Sequence, residues 1–573
     1  MQITIDAPQF SADLAAMREA FASTNIIAVA IPPLDIYQPN TRLTHVALAT
    51  EAGAWTLRVD LWRQVIRDYL GGGHRLVMHD AAYTMETLDR HLGVTIEQLA
   101  GATFDTRVFT HLLDPRSRND GGSGHSLTEA VRHYLAPDAL STENVVEPDL
   151  LGVRAHLTLS LFGKIAPMIH RLDLTALATK EHRLQAVVST MARRGVRVDR
   201  EYTQRLHTSL DEDAARWTIQ AARYGVTSVQ NPSQVASALL AMGEHLSERT
   251  ESGALKVDKS VLLPLADLTE DNERIERRDP NPLAEAVLHA RRAQGWKESY
   301  TRPFLFQTDG EGRIHPSITT LAARTGRMSL SRPALQQLPS KGHLVRRCII
   351  ADPGNVILSL DYKQIEMRVL AALCGDERML DAILGGQDLH DFTASLVFGE
   401  SFTSRQRDLS KQIGLGKVYG GSASTVSLQT GIPKTQVEPA MRKYDELFPG
   451  IKHYGKRLIA DARRRDRFEV VNVHGRLLPL DMSRSFTATN YAVQSVARDI
   501  LAESLIRLHD AGFGNNLLLP VHDEVVGQAP VADAAKTVLR MKEVMETDFM
   551  GVPILADAEV YGPSWGHGYG ATA

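Results

Sequence analysis

Two short stretches carry acids where chemistry could use them. In VILSLDYKQIEMRVLAAL an apolar run ends at Asp361, and in LLLPVHDEVV the triplet His522, Asp523 and Glu524 separates two apolar runs. The first reads as a strand passing into a helix that begins near Gln364 and carries Glu366 and Arg368. The second reads as two strands around a tight turn that pushes Asp523 out of the sheet. Asp361 is then a strand-end acid, a place that also suits a helix cap. Brought together, two such carboxylates would repel and raise each other's pKa, but two divalent cations about 3.5–4 Å apart would turn them into a clamp for phosphoryl transfer. Ligands that are all oxygen point to Mg²⁺.

A third stretch, TSRQRDLSKQIGLGKVYGGS, repeats Arg407, Lys411, Leu415 and Tyr419 every four residues. On a helix they form one stripe about 18 Å long, cationic at one end and apolar at the other. A nucleoside triphosphate has that polarity, although a helix with a basic surface and a buried seam would share it. Gly414 and Gly416 each cost roughly 1 kcal/mol inside a helix and are expected to allow close approach of a ligand or movement of the helix. No phosphate-loop pattern follows a strand here.

The elements that must hold these residues belong to a chain of 573 residues, long enough for about three to four compact units. The start, MQITIDAPQF, lacks a basic flank and apolar core, and no apolar run is long enough to span a membrane. The expected location is the cytoplasm, that of the host if the source is viral. Cys348 and Cys374 are too few for a disulfide framework and read as packing residues. Net charge is −4, yet seven basic residues and no acid lie between Arg313 and Ile350, and a second basic run spans Lys452 to Arg467. Such tracts are solvated faces or grips for a nucleic-acid backbone. Residues 1 to about 175 alternate strands and helices, about 178 to 300 read as helical, and the remainder mixes both.

These motifs resemble the family A DNA polymerases. TGRMSLSRPALQQLP, DYKQIEMR, RDLSKQIGLGKVYG and VHDE follow the family's order, with NPSQVASALLAMG similar to its thumb and NYAVQSVARDI similar to a further signature helix. The resemblance implies an α/β multidomain fold, an RNase H-like exonuclease-type domain followed by a right-hand polymerase. Its limits would be 1–177 for the exonuclease-like domain, 178–310 for the thumb, 311–366 and 471–573 for the palm, and 367–470 for the fingers. It implies a monomer extending a primer on template DNA with deoxynucleoside triphosphates. Asp361 and Asp523 would hold two Mg²⁺ ions, or Mn²⁺ in their place, with Glu524 assisting. Arg407, Lys411 and His390 would meet the triphosphate, Lys411 also acting on the departing pyrophosphate. Gln364, Leu415 and Tyr419 would line the nucleotide site, and Glu366 would block a ribose 2′-hydroxyl. Arg327, Gln336, Arg476, Asn490, Gln494 and His522 would follow the primer duplex. Leu415 stands where the family has Phe or Tyr, Ala334 and Gln337 replace two asparagines, and Pro520 replaces a glutamine.

The N-terminal resemblance is to a 3′-to-5′ exonuclease whose acids are missing. Pro32, Pro33 and Leu34 stand where the first strand should end in Asp-x-Glu, Thr84 follows Tyr83 where an Asp is expected, and Leu150 and Arg154 replace a Tyr and an Asp. Asp35 is a slipped substitute at best, Asp80 is close but sits where the family has Asn, and Asp105 matches a position that is structural in the family. The expectation is a scaffold without editing, with no 5′-nuclease domain. Two competing readings are a binding factor that has lost catalysis, which intact acids and cations disfavour, and a single-subunit RNA polymerase, which Glu366 and the Tyr-Gly ending disfavour.

Overall fold

The computed structural model describes residues 5–38, 40–135, 149–250, 252–269, 273–339, 342–418, 421–430 and 432–572, with the side chains of 11, 405, 415, 417, 418 and 428–430 also left undescribed. Tyr419 therefore lies outside the described residues, as does the side chain of Leu415.

The N-terminal region is a six-stranded sheet of β1 (Ile5–Asp6), β2 (Ile26–Ala30), β3 (His45–Ala49), β4 (Ala54–Arg58), β5 (Arg75–Met78) and β6 (Thr103–Asp105), in the order β1-β4-β3-β2-β5-β6. The segment read as THVALATEAGAWTLRV splits into the antiparallel pair β3 and β4, whereas β2, β5 and β6 run parallel. Strands β2 to β4 are buried along most of their length, which explains their short unbroken apolar runs. Helices α1 (Ala81–Leu92) and α2 (Asp149–Arg171) pack on this sheet.

Helix α3 (Thr175–Arg194) leads out of this domain and stops at Gly195, whose φ is +68°. A Cβ there would lie 2.5 Å from the Ile314 carbonyl oxygen, so only glycine fits. Helices α4 (Arg200–Ala222) and α5 (Pro282–Trp296) form the long pair that follows. Helix α5 starts as its sequence NPLA predicts: Asn281 accepts from the amides of Leu283 and Ala284, and proline occupies the first turn. NPSQ at Asn231 is built the same way.

The C-terminal region centres on β7 (Asn355–Tyr362), followed by α6 (Ile365–Cys374), α7 (Leu389–Phe398), α8 (Ser404–Val418) and α9 (Ala488–Leu508). Strands β8 (Leu517–Val521), β9 (Glu524–Pro530) and β10 (Ala556–Gly562) complete an antiparallel sheet ordered β8-β9-β7-β10. Helix α9 is buried almost throughout, because it runs through the largest hydrophobic core of the chain. Among the described residues no helix is long and apolar enough to cross a membrane.

The two regions are fastened by specific contacts. Tyr37 stacks on His315 with centroids 3.7 Å apart, Arg193 donates to Asp89 at 2.9 Å, and Arg467 donates to the Leu113 carbonyl at 2.9 Å.

The structure corrects the reading of the first basic tract. Four of its seven cations pair with internal acids: Arg313 with Asp352, Arg324 with Asp120 and Asp481, Arg327 with Glu366, and Arg347 with Asp199. Arg346 lies over the rings of Trp565 and Tyr569. The acids come from distant segments, so a local charge count could not find them. The second tract differs, since Lys452, Lys456, Arg457, Arg463, Arg464 and Arg465 are exposed.

Candidate active site

The acids meet because β7 is the interior strand between β9 and β10. In that register Asp361 faces Glu524 on one side and Asp557 on the other. Cross-strand partners share a face of the sheet, so three acids line up in one row. Asp557, which the motifs did not single out, is tied to Lys363 at 2.7 Å. It could have been found by extending the alternation of the last strand.

Asp523 joins this row through the turn. His522 and Asp523 are the only residues between β8 and β9, and His522 has φ +56°, a conformation that two-residue hairpins favour at this position. The Asp523 carbonyl accepts from the Tyr362 amide at 3.3 Å, which fixes the turn beside Asp361. Gln364, at the start of α6, also has positive φ, +48°. Two non-glycine residues in this sparse region flank the acids, a concentration of backbone strain typical of functional sites.

Burial and the charges of Glu524, Asp523 and Asp557 push the Asp361 carboxyl up to about 7. Burial also raises Asp523, against the opposing charges of Arg327 and His522. Glu524 is buried and accepts from the Ser359 hydroxyl at 2.7 Å, so it braces β9 against β7. Among the described residues no three His, Cys, Asp or Glu side chains are set to hold a metal ion by themselves. The site offers two oxygen ligands in a field of excess negative charge, which fits hard divalent cations whose other ligands come from substrate or water.

On the helices that follow α6, Arg407 of α8 reaches back to α7, where it binds Asp391 and, at 3.3 Å, Asp388. His390 is buried beside them, and burial, with the charges of Lys411 and Arg407, lowers its pKa. Lys411 lies one helical turn beyond Arg407 and is exposed. Gln364 donates to Asp388 at 2.8 Å, which links this cluster to the strand-end acids. The glycines of α8 serve packing: a Cβ on Gly416 would lie 2.9 Å from Val426, and one on Gly414 would touch Met367 and Tyr444 at 3.5 Å. The close approach that the structure shows is to a neighbouring helix residue at Gly416.

A third group gathers beside the turn. His522 hydrogen-bonds the Gln336 carbonyl at 2.9 Å, Gln336 reaches the Pro520 carbonyl at 3.4 Å, and Arg327 pairs with the buried Glu366. Gln494 accepts from Thr325 at 3.3 Å, and Asn490 buries a side-chain oxygen that has no protein partner. Arg476 is a correction. Only 2% of its side chain is exposed, and it pairs with Glu181 at 2.6 Å and Asp499 at 2.5 Å. Arg498 joins the same two acids. A guanidinium so enclosed has no surface to offer a duplex; it braces α9 against α3.

In the N-terminal domain, Pro33, Leu34, Thr84, Leu150 and Arg154 all line one cavity of about 890 Å³. Arg107, Arg118 and Arg332 also face it. Asp80 is held by Arg107 at 3.2 Å. Asp105 is buried and accepts from the amides of Asp80, Ala81 and Arg107 and from the Gln185 side chain. Asp35 lines a neighbouring cavity of about 420 Å³ with Asp80 and Glu86.

An antiparallel sheet carries a row of acids at its hairpin, and Gln364 links that row through Asp388 to the helix bearing Arg407 and Lys411, the kind of charge arrangement that nucleotidyl-transferring enzymes use. The family model for DNA polymerase family A matches residues 200–567. The DNA polymerases of Mycobacterium phages D29 and L5 are 33% and 31% identical over 99% of this chain and 98% of their own lengths. The thermostable DNA polymerase I of Thermus aquaticus is 30% identical over 80% of this chain and 55% of its own. The POL domain of Pol1 from M. smegmatis, solved in complex with DNA primer-template and dNTP, shares the fold with TM-score 0.82 at 22% identity, covering 98% of this chain and 100% of that one. The chain belongs to DNA polymerase family A, and it is a DNA-directed DNA polymerase.

Proposed function

We propose that this polymerase extends a primer 3′-hydroxyl with deoxynucleoside triphosphates by in-line transfer at Asp361 and Asp523, and that its N-terminal domain does not edit. The observation that carries the first part is the register that sets Asp361 among acids at the tip of the β8–β9 hairpin. Family membership implies divalent ions, and the excess negative charge here suits them. When bound, a pair of Mg²⁺ or Mn²⁺ ions would supply Lewis acidity toward the primer oxygen and the departing pyrophosphate.

The remaining work falls to the chain. Asp361 and Asp523 hold the ions, and Glu524 keeps their strands in register. Arg407, Lys411 and His390 bind the triphosphate and orient its α-phosphate, with Lys411 positioned to donate a proton to the leaving group. Glu366, fixed by Arg327, stands against a ribose 2′-hydroxyl, while Leu415 and Tyr419 accompany the base. Arg327, Gln336, Asn490, Gln494 and His522 track the primer end. The limits 178–310 for the thumb, 367–470 for the fingers and 311–366 with 471–573 for the palm belong to the same reading. The two phage relatives support a role in viral DNA replication in a bacterial cytoplasm.

Absence of editing is supported by the N-terminal cavity, where residues unable to ligate metals stand at the expected acid positions. Incubation with mismatched primer and Mg²⁺ but no nucleotides should leave the primer intact. Metal-dependent shortening that Asp35→Ala or Asp80→Ala abolishes would defeat this part. An extension assay with deoxynucleotides and ribonucleotides in parallel should give addition of deoxynucleotides only; addition of ribonucleotides would sink the role of Glu366.

A further inference from the structure

The contact between Arg407 and α7 is odd for a phosphate-binding cation, because its partners are carboxylates. Asp388 has a structural duty: it caps α7, accepting from the amides of His390 and Asp391, and it also accepts from Gln364. Asp391 has no such duty among the described residues. Its carboxylate is bound by the Nε of Arg407 and by no other described group. Both side chains are open to solvent, 35% for Arg407 and 49% for Asp391.

We infer that Asp391 is a place-holder for phosphate, a residue that sets nucleotide affinity by competing with the incoming triphosphate for Arg407. A guanidinium fork fits carboxylate and phosphate oxygens alike. While Asp391 holds the Nε of Arg407, and Asp388 more loosely its terminal nitrogen at 3.3 Å, part of the population has no free Arg407, and apparent nucleotide affinity is scaled down by the fraction that is free. A solvent-exposed pair of this kind is weak, so a triphosphate displaces it, and Lys411, exposed one turn along, is placed to receive the phosphate first. In exchange, the empty site keeps Arg407 folded against α7 instead of leaving it to bind unrelated polyanions. The inference rests on the proposed role of Arg407 at the triphosphate.

Single-nucleotide incorporation by the full chain tests it in a cycle of Asp391→Asn with Arg407→Ala. Asp391→Asn should lower KM for the nucleotide about two- to fivefold, with kcat changed less than about twofold. Inhibition by inorganic tripolyphosphate should tighten by the same factor, and Asp391→Glu should keep the wild-type values. In the Arg407→Ala background the Asp391→Asn effect should vanish. A KM that is unchanged or raised by Asp391→Asn, with Arg407→Ala still raising it, would overturn the competition while leaving the triphosphate role of Arg407 standing. A KM and tripolyphosphate inhibition indifferent to Arg407→Ala would remove that role and the competition with it.

Discussion

The hairpin of the C-terminal sheet and the cavity of the N-terminal domain both gather side chains from strand and helix ends, and they gather different ones. Around the hairpin stand Asp361, Asp523, Glu524 and Asp557, and Asp361 is pushed up to about 7 by burial and its acidic neighbours. Around the cavity stand Pro33, Leu34, Thr84, Leu150 and Arg154, with further arginines facing inward. The first arrangement is electrostatically costly unless cations relieve it, and such cost is kept where chemistry uses it. The second sets its acids, Asp80 and Glu129, among the cations Arg107, Arg118, Arg154 and Arg332, so opposite charges balance there without a bound ion.

The comparison can be broken most directly at the hairpin. Asp523→Asn should reduce extension by about a thousandfold, the loss of several kcal/mol of metal-assisted stabilisation, while primer-template affinity, measured by fluorescence anisotropy, stays nearly the same. Extension near the wild-type rate would mean that another acid of the row holds the ions.

Two arginines sharpen it next. Arg476→Ala leaves Glu181 and Asp499 buried with one fewer cation, and denaturant unfolding should show a loss of about 3–5 kcal/mol. Arg154, exposed at the rim of the cavity, should cost less than about 0.5 kcal/mol when changed to alanine.

A smaller effect depends on pH. Burial raises Glu86, hydrogen-bonded by Tyr37, from 4.5 to about 8. The native state then holds a proton that the unfolded state releases, so this contribution is fully present below about 4.5 and is lost as pH rises through about 8. Glu86→Gln has no proton to lose, and its melting temperature relative to wild type should climb across that window by about 2 °C or more. A difference that is flat with pH would show Glu86 charged in the folded protein.

Much of the polymerase half was legible because its signals are local. Strand-to-helix passage at Asp361, the two-residue turn at His522 and Asp523, and the Asn-Pro helix starts each depend on a few neighbouring residues, and the structure builds each of them where those residues stand. The fastening of Arg313, Arg324 and Arg347 was not legible, since their acids lie at Asp352, Asp120, Asp481 and Asp199, and only folding brings them close.

By itself the sequence determined which side chains are available: strand-end acids in one half, cations every four residues on a helix, and proline, leucine, threonine and arginine at the expected acid positions in the other half. The tertiary structure decided their surroundings. It made Asp557 a neighbour of Asp361, enclosed Arg476 between two acids, packed the glycines of α8 against other helices, and laid Asp391 across Arg407. Charge, packing and desolvation act through space over a few ångströms, and separation along the chain does not report those distances.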